Sequence, residues 1–183
     1  MKKTFQQRRN RYTEMQHLNN GTTLIMGLGN VLLGDEGFGI HVARRLKQVR
    51  LPDHVKIEEG GVGGFDLLGY LNGVTRLLVI DVMMADMPPG ELRLIKLGPE
   101  LAEPGKTILS FHQVGILELI RMWSLIGPEP DTYLLVTRPQ KIEVCMELSP
   151  SLQHAAGRAA KLVEDIVREE FAGLERSGYL CTS

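Results

Sequence analysis

Only two cysteines, Cys145 and Cys181, occur in the 183 residues, and they form no C-x-x-C pair. A disulfide framework is excluded, and so sparse a thiol content suits a reducing cytoplasm. Charge of one sign is also lacking: 21 Lys and Arg stand against 22 Asp and Glu, a formal net charge of -1. No global basic field is left to attract nucleic acid or lipid headgroups. Long apolar runs are missing as well. The best, LLVIDVMMADM, is broken by Asp81 and Asp86, whereas a membrane span needs roughly 18 residues. A soluble, cytoplasmic protein with neither nucleic-acid nor membrane partners is expected. Residues 1–20 hold Lys2, Lys3, Arg8, Arg9, Arg11 and Glu14, with no apolar stretch behind the paired arginines. They read as a polar, flexible extension rather than a secretory or twin-arginine signal.

What is present is an alternation. Apolar runs bounded by turn residues recur at 23–27, 55–59, 75–82, 91–97 and 132–137, and these predict strands. Ile40, Ala43, Leu46 and Val49 after the first run, and Phe65, Leu68 and Leu71 after the second, have helical spacing. Ser110 and Gln113 form a capping box, and Gly127 with Pro128 a stop, predicting a helix at about 111–126. A last helix should start with Ser149 as N-cap and Pro150 as its first residue, burying Leu152, Ala156, Ala159, Val163 and Ile166. The stretch 138–148 alternates in a way that fits either an edge strand or an irregular loop. These patterns predict one α/β domain over 21–172, a mostly parallel twisted sheet of about five strands with helices on both faces, followed by a tail at 173–183.

The turn after the first strand, GLGNVLLGDEGFG, resembles a dinucleotide loop but fails it. Gly27 and Gly29 match G-x-G-x-x-G, yet Leu32 occupies the third glycine's place. Glu58 and Glu59 end the second strand where a ribose-binding acid would be sought. Asp35 and Glu36, however, enter the helix where pyrophosphate would sit, and two anions there would repel a third. Asp35 reads as a helix N-cap. Asp81 follows RLLVI and should emerge at the carboxyl end of a central strand, where open α/β sheets bind ligands. His112 would open the later helix, whose positive dipole end favours neutral imidazole. His17, His41, His54 and His154 lack such settings. Glu36, Asp81 and His112 thus converge on one rim in this reading, a donor set suited to nickel or zinc.

The motifs GLGNVLLGDEGFG, EGGVGGFDLL, VIDVMMAD and FHQVG, in order over roughly residues 22–170, resemble those of the hydrogenase maturation endopeptidases. The resemblance implies that Glu36, Asp81 and His112 bind a divalent ion and act in catalysis. It implies too that the substrate is a nickel–iron hydrogenase large-subunit precursor, whose C-terminal extension is removed after nickel insertion. Nickel would arrive with the precursor, while zinc or cadmium could occupy the same donors. Many members read Asp-Gly-Gly-Thr where this chain has Glu59, Gly60, Gly61 and Val62, a segment implied in substrate recognition. The chain has no G-x-S-x-G, H-E-x-x-H, Asp-Thr-Gly or Asp-Ser-Gly motif, which leaves a metal-assisted route or an Asp35–Asp81 pair sharing a proton. The rival functions are a non-enzymatic nickel sensor or carrier acting on the same precursor, and nucleotide binding.

Overall fold

β-Branched and large aliphatic residues in short runs form the strands. The computed structural model describes residues 21–62, 65–97, 111–171, 174, 180 and 181. Within these, β1 (Thr22–Leu28), β2 (Val55–Gly61), β3 (Val74–Val82), β4 (Leu92–Lys96), β5 (Asp131–Thr137) and β6 (Leu180–Cys181) make one sheet in the order β2-β1-β3-β5-β4-β6. β1, β2, β3 and β5 are parallel, and β4 runs antiparallel to β5. The five predicted strands are all present. The sixth, two residues long, pairs with β4 and comes from the segment read as a tail. The extension at 1–20 lies outside the described residues, and among the described residues no helix is long and apolar enough to cross a membrane.

Among the described residues three α-helices cover the sheet: α1 (Phe38–Leu46), α2 (Phe111–Trp123) and α3 (Pro150–Arg168). α1 and α3 pack on one face, where Phe38, Val42, Leu46, Leu152, Ala156, Ala159 and Val163 meet Ile25, Leu78, Ile80 and Leu135. Each fully buried large aliphatic or aromatic side chain there contributes about 1.5–3 kcal/mol, and the alanines of α3 let its backbone come close. The other face carries α2 and the turn Phe65–Leu71, with Leu67, Leu71 and Leu119 against Met26, Leu77 and Val79.

Several boundaries differ from the predicted ones. Val49 lies beyond the end of α1 and is exposed. The Phe65–Leu71 segment is a 3-10 helix rather than an α-helix. α2 stops at Trp123, three residues early, and Leu125 and Ile126 that would have extended it are exposed. Gly127 donates its N–H to the Trp123 carbonyl and closes the end as predicted. Ser110 and the side chains of His112 and Gln113 lie outside the described residues. The start of α3 is at Pro150, with Ser149 before it as predicted, but Ser149 makes no side-chain cap bond.

Candidate functional site

The chain leaves β1 toward β2 on one side, then returns so that β3 lies on the other side of β1. Connections diverging from neighbouring parallel strands open a crevice at their carboxyl ends, the usual ligand position in such sheets. Two glycines shape this one. Gly29 has φ 124, and a side-chain carbon there would overlap the Glu36 carbonyl. At Gly39, a side-chain carbon would overlap the carbonyl oxygens of Ile80 and Leu28. Lacking both, the chain folds the 3-10 turn Gly34–Gly37 back over the end of β1 and seats the first turn of α1 directly on β1 and β3. The glycine turn therefore brings backbone to backbone.

Glu36 sits in that turn, half-buried, against the end of β1. Asp81 is the penultimate residue of β3 and is completely buried. Its Oδ1 accepts the Val82 N–H at 2.8 Å. By strand alternation Asp81 shares a face with Leu77 and Val79, the face that α2 covers. α2 packs its third turn, at Leu119, on the half of the sheet holding Leu77 and ends ahead of β5. Glu36 and Asp81 thus lie at the carboxyl ends of the neighbouring strands β1 and β3, and the Gly34–Gly37 turn touches β3. His112 is the second residue of α2, and its side chain is outside the described residues.

The Glu59-Gly60-Gly61 segment is drawn to the same rim, because the Gly61 carbonyl accepts the Gly29 N–H at 2.8 Å. Gly61 has φ 57 with open space before it. Glu59 accepts hydrogen bonds from Arg44 Nε at 2.9 Å and Lys47 Nζ at 3.1 Å, both from the end of α1. Burial pushes this carboxyl up, but the bonds from Lys47 and Arg44 outweigh it and hold it below its ordinary value of 4.5. A lowered carboxyl adds stability above its unfolded value and loses it as pH falls through the folded one. Glu59→Gln is therefore expected to destabilise by less than about 1 kcal/mol near neutral pH, the pair being largely exposed. In urea titrations the difference from wild type should vanish in acid. A gap that persists at low pH would detach the effect from the ion pairs.

Asp35 is the residue that local pattern misread. Neither α1 nor the turn before it has a side-chain cap bond, so Asp35 is not an N-cap. It is completely buried, and both its oxygens are engaged by the segment before α3. Oδ1 accepts the Ser149 N–H at 2.7 Å. Oδ2 accepts the N–H groups of Gln140 at 2.8 Å and Lys141 at 3.0 Å, and the Ser149 hydroxyl at 2.9 Å. The Asp35 carboxyl is thus turned toward the 140–149 segment, with three donors on Oδ2 and one on Oδ1. The stretch 138–148 is an irregular loop with two isolated bridges, Arg138 to Pro89 and Cys145 to Leu33. At His41, burial, Arg44 and Arg45 together lower the pKa, against the backbone of Met146, which raises it.

An open, mostly parallel sheet with acidic groups at its carboxyl rim defines an α/β protein of the kind that acts from the ends of its strands. Comparison with known proteins narrows this. The sequence profile of the hydrogenase maturation proteases (HycI) matches residues 40–166, a span that holds Asp81 and His112 and starts just after Glu36. The hydrogenase expression/formation protein HoxM of Cupriavidus necator is 33% identical over 158 residues, 84% of this chain and 74% of that one. HupD of Bradyrhizobium diazoefficiens is 34% identical over 114 residues, a match spanning 62% of this chain and 59% of its relative. The hydrogenase maturating endopeptidase HybD from Escherichia coli superposes with a TM-score of 0.73 at 28% identity, covering 81% of this chain and 93% of that structure. The chain belongs to the hydrogenase maturation protease family.

Proposed function

We propose that this protein is an endopeptidase that removes the C-terminal extension of a nickel–iron hydrogenase large-subunit precursor once nickel has been inserted. The observation that carries the reading is the buried Asp81 at the crevice end of β3, beside the turn that carries Glu36. Glu36, Asp81 and His112 are the proposed ligands. Two carboxylates and an imidazole neutralise a divalent cation and leave coordination positions for the substrate. Nickel enters as part of the precursor, and zinc or cadmium suits the same donors. Bound there, the ion supplies the Lewis acidity that polarises the scissile carbonyl or a water. The chain's own part is to orient the ion against the peptide through α2 and the Gly34–Gly37 turn, and to accept a proton on a carboxylate. Glu59, Gly60 and Gly61, at the same rim, are proposed to contact the precursor.

Incubating the purified protein with nickel-loaded and nickel-free precursor, followed by intact mass measurement, tests this. Loss of a C-terminal peptide from the nickel-loaded form alone is the expected result. Binding without any change in mass would make the protein a carrier or sensor and end the protease reading.

A further inference from the structure

The loop that Asp35 holds has an unusual surface. Val144 is 90% exposed and Met146 67%, and Leu32 across from them is 56% exposed. The three side chains are neighbours through backbone pairing. Cys145 donates its N–H to the Leu32 carbonyl at 3.1 Å, and its own carbonyl accepts the Gly34 N–H at 2.6 Å. Cys145 faces Gly34 and is partly buried, so Val144 and Met146 on either side of it turn outward. Apolar side chains clustered in water on a loop fixed by buried hydrogen bonds form an ordered surface, and such clusters mark interaction sites.

The ridge adjoins the proposed active site. Glu36 lies in the 3-10 turn Gly34–Gly37, which rises only about 2 Å per residue, so Leu32, four residues earlier, is roughly 8 Å from Glu36 along the chain. A peptide reaching Glu36 past this loop must run against it. Residues 1–20 are a poor cover, since Lys2, Lys3, Arg8, Arg9 and Arg11 gain nothing from an apolar surface. Lys141 Nζ is bonded to Glu143 at 2.6 Å, which leaves Glu147 as the one acidic neighbour of the ridge without an ion pair among the described residues.

We propose that Leu32, Val144 and Met146 form a docking ridge for an apolar segment of the large-subunit precursor flanking the bond to be cut. The inference rests on the proposed function and names the surface by which that substrate is held. Asp35 acts here as a positioning residue, through the loop.

The test is the double variant Val144→Ser, Met146→Ser, assayed with a nickel-loaded large-subunit precursor. Both side chains are exposed, so thermal unfolding should match wild type. KM is expected to rise about tenfold with kcat unchanged, and Val144→Ile with Met146→Leu should restore it. Unchanged KM would overturn the ridge. So would a wild-type dimer that the serine variant turns into monomer with KM unaltered, because the ridge would then be a contact between copies. If wild type cuts no precursor, the proposed function fails by itself. Interferometry with immobilised precursor then decides the ridge: an affinity about tenfold weaker in the serine variant supports it, and equal affinity removes it.

Discussion

Asp81→Asn, Glu36→Gln and His112→Ala are each expected to lower kcat/KM for precursor processing about a hundredfold or more, with the fold intact. Removing one preorganised charge-stabilising group commonly costs a factor of 100 to 1,000. Asp81 gives the cleanest comparison. It is completely buried, and asparagine keeps its volume and an oxygen able to accept the Val82 N–H that now bonds to Oδ1. What is lost is the negative charge facing the α2 side of the sheet. Glu36 is half-buried in a turn whose geometry depends on Gly29 and on backbone bonds, so glutamine should alter charge and leave the turn in place. Circular dichroism and thermal unfolding close to wild type, together with weakened divalent-ion binding in equilibrium dialysis, complete the expected pattern. Processing at the wild-type rate by any one variant would strike that residue from the site.

Asp35→Ala should act in the opposite way, by cutting stability. The substitution strips partners from three backbone N–H groups and the Ser149 hydroxyl, with Asp35 itself inaccessible to water. Unpaired buried donors cost about 1–3 kcal/mol each, and losing one member of a buried charged network typically costs about 3–5 kcal/mol. We expect a loss of about 3–5 kcal/mol in urea unfolding. Asp35→Asn should be nearly as damaging, since its amide would aim two donors at groups that are themselves donors. Ser149→Ala removes one bond and should cost about 1 kcal/mol. Equal urea midpoints for wild type and Asp35→Ala would show that the four bonds contribute little.

These two positions also show what was legible in the sequence. The strands were, because an apolar run bounded by turn residues needs no distant information. Ile40, Ala43 and Leu46 likewise marked the buried stripe of α1. The segment at Phe65–Leu71 shows where periodicity fails, for over seven residues a spacing of three fits a 3-10 helix as well as an α-helix. Asp35 was misread because the groups that engage it lie 105, 106 and 114 residues further on. No local pattern carries that separation; the only sign was Gly34 and Gly37 on either side, typical of a turn pressed against other backbone. The loop at 138–148 defied assignment because Ile142, Val144 and Met146 alternate as in a strand yet point into water.

The long reach of Asp35 bears on how the protein comes into being. Its hydrogen-bond donors are among the later residues to leave the ribosome, and the third proposed ligand belongs to the second half of the chain as well. A nascent polypeptide that has finished only β1 to β3 holds both acids but neither the imidazole nor the clamp. Competence then arrives late in synthesis, when α3 docks, and a truncated product is inert rather than unregulated.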